Sequence, residues 1–164
     1  MIATMIAVIL RNLPAFLLII ALIISLLGPR TAERTLSWIL LLPVGVSGLW
    51  AAFFHLFFPS VAAADIGWAT SPFQFEVGLA DLAIGVTACV AYRASLPFKA
   101  ASVCVASIFL LGAAAGHVRQ MIVAGNFHPG NAGVPFVLDI IAPVLAIALL
   151  AVAWRGQPGS AWRR

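Results

Sequence analysis

Apolar residues dominate the chain in long runs that short polar segments interrupt. Five such runs reach or approach membrane-spanning length, which is about 20 residues for a helix. The first extends from Leu13 to Leu27, with Ile2–Leu10 as a candidate extension. The others run from Leu36 to Phe58, Phe73 to Tyr92, Phe98 to Val123 and Phe136 to Trp154. No small-residue cleavage site follows Leu27, so the first run is not read as a signal peptide. Pro29, Pro59, Pro72, Pro97, Pro129 and Pro135 mark the borders, where a helix tolerates proline. Ser71 and Gln74 have the spacing of a capping box and predict a helix start there. Pro43 and Pro143 lie inside runs and predict kinks that open backbone carbonyls to a cavity. The expected fold is therefore all-α: one polytopic membrane domain with about five transmembrane helices.

Composition agrees and excludes a soluble domain. Of 164 residues, 63% are hydrophobic and 9% charged, against roughly a quarter charged in soluble chains. Mean hydropathy is +1.12. The net charge of +4 is no nucleic-acid signal, because the basic residues are scattered through short loops. They bear instead on orientation. Arg30, Arg34, Arg93, Lys99, Arg155, Arg163 and Arg164 fall at one end of the helices, and only Arg11 and Arg119 towards the other. By the positive-inside rule the first end is cytoplasmic, with the N-terminus outside and the C-terminus inside.

The remaining ionisable groups gather at the opposite end. His55, Glu76, Asp81, His117 and Asp139 all come within roughly 12 Å of the outer boundary at 1.5 Å per residue. Asp65 and His128 lie in the outer loops, and Glu33 is the one acid on the basic side. Charges inside a bilayer are costly, so such residues usually face the bundle interior and mark a site. The plainer reading places them at headgroup level, solvated and without function.

An internal repeat sharpens the constellation. Pro72-Phe73-Gln74-Phe75-Glu76 aligns with Pro135-Phe136-Val137-Leu138-Asp139, and His55 and His117 precede these prolines by 17 and 18 residues. Two parallel hairpins would then form a four-helix bundle related by an axis along the membrane normal. His55, Glu76, His117 and Asp139 would converge, with Asp81 one turn deeper. Two histidines with two or three carboxylates suit a divalent Zn, Mn or Fe ion. A haem held by His55 and His117 is the lesser alternative. A metal-free cluster binding protons or a polar solute, with Arg119 and Arg11 paired to the acids, is another, and would make the chain a proton-coupled transport unit. No nucleophile–base pair is legible, so no reaction follows.

Other features have packing readings. Gly112 and Gly116 form a GxxxG run expected to pack helices closely; this and the minimal loops also fit an accessory subunit of a larger membrane complex, or a homo-oligomer. Cys89 and Cys104 fall at matching depth and read as buried free thiols. Trp50, Trp68 and Trp154 read as interface or packing residues. The stretch Asn126–Asn131 reads as a turn, with a lid over the outer cluster as the sharper alternative.

At Ile66-Gly67-Trp68, Ser71-Pro72-Phe73-Gln74, Glu76-Val77-Gly78, Gly116-His117, Pro129-Gly130-Asn131 and Asp139 the chain resembles an uncharacterised family of small bacterial multi-pass membrane proteins. The resemblance covers roughly His55 to Ile147. It implies an inner-membrane location and supplies no activity. Asp81 departs from the pattern, which has Asn there.

Overall fold

A computed structural model describes residues 12–157, and all regular structure among them is helical. Helix α1 spans Leu13–Leu26 and α2 Ala32–Phe57. A short α3, Pro59–Asp65, leads to α4, Phe73–Ala91, and α5, Leu96–Ala124. One turn, α6 (Pro129–Ala132), precedes α7 (Val134–Arg155). Helices α2, α4, α5 and the α6–α7 unit are each long and apolar enough to cross a membrane. The described part of α1 has 14 residues, about 21 Å, short of a hydrocarbon core about 30 Å thick. The candidate extension Ile2–Leu10 lies outside the described residues.

The helix borders follow from local chemistry. At the start of α4 the Ser71 backbone N–H donates to Gln74 Oε1 at 3.0 Å, and Ser71 Oγ accepts from the Phe73 N–H at 3.3 Å. The Gln74 bond is that of a capping box, while the Ser71 hydroxyl takes the N–H one residue earlier than the full motif does. Prolines occupy the first two positions of α1, α3, α5, α6 and α7, where a missing N–H costs nothing. Gly125 ends α5 in the left-handed conformation, φ 62°, with the Asn126 N–H returning to the Gln120 carbonyl. Pro43 has no N–H to give, and the helix around it, Leu40–Val46, widens to π geometry. Such widening relieves the clash of the ring with the preceding turn.

The four long helices form a ring. Helix α2 packs along α4, α4 beside α5, α5 along α7, and α7 returns against the N-terminal half of α2. The two predicted hairpins are thus present as α2–α4 and α5–α7. Leu36, Ile39, Leu40, Val44, Ala88, Val103, Ala106 and Ala146 build an apolar core. The outward faces are apolar too, with Ile108 71% and Ile122 78% exposed. In water that surface would aggregate, whereas in lipid it is solvated. The chain is a polytopic helical membrane protein.

Close helix approach falls at different glycines from the expected pair. Gly112 has nothing near its Cβ position, and Gly116 meets only the Trp68 ring edge. The GxxxG run therefore does not clamp two helices within this chain. The seam lies between α2 and α4: a Cβ on Gly85 would stand 2.8 Å from the Leu49 nitrogen, and one on Gly78 would stand 3.0 Å from His55 Cβ. Cys89 closes the same seam against Gly45, while Cys104 is exposed, so both thiols are free. Gly85→Ala is expected to cost about 1–3 kcal/mol by overpacking, read as a lower unfolding midpoint in detergent. Gly112→Ala, in open space, should leave the midpoint unchanged; equal losses would refute the seam.

Candidate functional site

The α2–α4 seam determines which carboxylate meets His55. Gly78, Asp81, Gly85 and Ala88 are all buried on one stripe of α4, at the three- and four-residue spacing of a single helix face. This stripe is pressed against α2, so His55 Nδ1 and Asp81 Oδ2 lie 2.8 Å apart. Glu76 is two residues before Gly78, about 200° around the helix, and is exposed. The repeat alignment matched Glu76 to Asp139 by their distance from proline. In the folded chain Asp81 occupies the position beside its hairpin's histidine, and Glu76 points away.

The second hairpin repeats the pairing. His117 Nε2 on α5 faces Asp139 Oδ2 on α7 at 3.6 Å. Arg119 is exposed and forms no ion pair among the described residues, and Arg11 lies outside them. No Lys or Arg among the described residues neutralises either carboxylate. Among those residues no three His, Cys, Asp or Glu side chains already stand at metal-ligating distance of one point.

Asn131 is the residue that sequence reasoning missed. It is completely buried and makes four hydrogen bonds. Its Oδ1 accepts from Trp68 Nε1 at 2.7 Å and lies 2.8 Å from His117 Nδ1. Its Nδ2 donates to the carbonyls of His117 at 3.2 Å and Asn126 at 2.8 Å. Carbonyls only accept and an indole N–H only donates, which fixes the orientation of the amide. His117 Nδ1 must then carry a proton, and the ring turns Nε2 towards the Asp139 carboxylate. His55 likewise directs Nδ1 to an oxygen, and its Nε2 makes no hydrogen bond among the described residues.

Asn131 comes from the loop read as a turn, and that loop is docked on the loop between α3 and α4. Asn126 Nδ2 donates to the carbonyls of Ile66 and Gly67 at 3.0 and 3.1 Å. Gly130 abuts the backbone of Asp65 so closely that any Cβ would overlap the Asp65 carbonyl oxygen. Trp68, expected as an interface or packing residue, stacks edge-on to His117 with ring centroids 5.6 Å apart. The available signal was the Gly67-Trp68 and Gly130-Asn131 pairs, each next to a proline-started helix.

A family model matches residues 4–159, nearly the whole chain. The chain belongs to a family of unknown function, DUF6790. The match extends beyond the His55–Ile147 segment that carried the resemblance and takes in α1. No curated protein and no solved structure matches the chain. Membership therefore leaves the chemistry to the site.

Removing the amide tests the network. Asn131→Leu strands the Trp68 and His117 N–H groups in a buried setting, at about 1–3 kcal/mol for each. A drop in unfolding midpoint larger than that of Gly85→Ala is expected, together with a change in Trp emission. A midpoint within error of the wild type would contradict the burial and bonding described.

Proposed function

We propose that the His55–Asp81 and Asp139–His117 pairs form a cation site within the bundle, whose occupant is a divalent Zn, Mn or Fe ion. The observation that carries this reading is the placement of the His117 ring, with Nδ1 on Asn131 Oδ1 and Nε2 towards Asp139. An imidazole whose Nδ1–H is held by an oxygen acceptor and whose Nε2 is bare is the form in which histidine binds metal. Here Nε2 faces a carboxylate 3.6 Å away, and on this reading the ring is neutral and a positive ion bridges the two atoms. Nitrogen and carboxylate oxygen ligands suit these three metals. Two carboxylates without a Lys or Arg partner among the described residues add the negative charge that such an ion requires.

On this reading binding draws the two pairs together, and His117 and Asp139 are the first ligands, with Asp81 and His55 completing the set. Glu76, a member of the set expected from sequence, is left at the surface. A second reading keeps the same residues and fills the gap with a proton shared between His117 and Asp139; the 3.6 Å separation, longer than a hydrogen bond, favours the larger ion. The same reading sets the chain in a bacterial inner membrane with its basic end in the cytoplasm, an orientation that the positive-inside rule supports. The site then opens towards the outside.

Elemental analysis of detergent-purified protein, beside the His117→Ala/Asp139→Ala variant, tests the assignment. Near-stoichiometric Zn, Mn or Fe is expected in the wild type and at least a tenfold lower content in the variant, since ligand loss typically exceeds the 10–100-fold effect of outer partners. Metal at background in wild type that has been supplied with each ion would remove the metal reading. A reporter fused to the C-terminus should be active only in its cytoplasmic form, and the reverse would invert the orientation.

A further inference from the structure

The opposite end of the bundle carries an open cleft of about 460 Å³ lined by Thr31, Glu33, Arg34, Trp38, Arg93 and Lys99 among others. We infer that this cleft holds the phosphate of an anionic lipid headgroup. The inference is independent of the cation site, which lies at the other ends of the same helices.

Charge accounting leads to this ligand. Lys99 is buried, 5% exposed, and its Nζ lies 2.8 Å from Glu33 Oε1, so those two charges cancel. Arg34 and Arg93 are left without a carboxylate partner among the described residues. Arg34 is also held in place. Its Nη1 donates to the Ser25 carbonyl at 3.0 Å, its backbone N–H is capped by Thr31 Oγ1, and its guanidinium lies over Gly28. Arg93 lies 6.0 Å from the Tyr92 ring centroid, and Tyr92 packs on Trp38 at 4.8 Å. Two guanidinium groups with no carboxylate partner are suited to phosphate oxygens, which the planar fork binds in bidentate fashion.

A lipid, rather than a free solute, follows from position. The cleft lies where α1, α2, α4 and α5 end or begin, at the level of the membrane surface. Leu26, Leu27 and Phe98 at that same end are exposed and apolar, as the acyl side of a headgroup site would be. Tyr and Trp favour this boundary, and basic pockets between helices at the membrane surface recognise anionic headgroups.

Native mass spectrometry of the full chain, offered equal amounts of dioleoylphosphatidylglycerol and dioleoylphosphatidylcholine, tests the inference. Preferential retention of phosphatidylglycerol is expected, falling roughly fivefold for each of Arg34→Gln and Arg93→Gln. Gly28→Ala, which displaces the Arg34 head without removing its charge, should lower retention as well while circular dichroism stays unchanged. Retention of both lipids alike, or retention unaffected by the Arg variants, would overturn the site. Displacement of phosphatidylglycerol by millimolar inorganic phosphate would overturn the lipid as the source of the phosphate.

Discussion

Inside a hydrocarbon layer a polar group has no water to turn to, and the side-chain amide of Asn131 answers that constraint for the half of the bundle that carries His55 and His117. It joins the indole of Trp68, the imidazole of His117 and the carbonyls of His117 and Asn126 in one buried set of hydrogen bonds. Because the indole only donates and the carbonyls only accept, the amide is oriented and its oxygen requires a proton on His117 Nδ1. The loop between α5 and α7, the loop between α2 and α4, and the setting of the His117 ring are thus decided together. Membrane proteins satisfy non-helical backbone only where protein covers it, and here the two loops cover each other.

The second determinant is steric. Glycines on α2 and α4 bring these helices close enough that Asp81 reaches His55, and the same contact turns Glu76 outward. The two hairpins match in their His–carboxylate pairing, but Asp81 lies about a turn deeper in its helix than Asp139 does. The bundle is thus asymmetric in depth at the one place where its halves were expected to coincide.

Hydropathy runs and border prolines made the helices legible, because bilayer thickness and the missing proline N–H act locally along the chain. The concentration of histidines and acids at one end was legible for the same reason: depth follows from residue count. Rotation about each helix axis was not. Proline offsets align Glu76 with Asp139, yet the angle at which a carboxylate projects depends on which face the neighbouring helix presses. The Gly112–Gly116 spacing is a packing signal in isolation, but Gly112 faces open space here, while Gly78 and Gly85, seven residues apart, mark the contact. Asn131 was hidden because a polar residue after Pro-Gly reads as a turn, and only the docking of two distant loops buries it.

The account rests on His117 being protonated on Nδ1 with Nε2 bare towards Asp139. Nitrogen-15 NMR of histidine-labelled protein at neutral pH, before and after addition of Zn²⁺, measures this directly. The predicted result is a His117 Nδ1–H tautomer whose unprotonated Nε2 resonance moves on adding metal while the Nδ1–H remains. An Nε2–H tautomer, or a spectrum indifferent to Zn²⁺, Mn²⁺ and Fe²⁺, would contradict it.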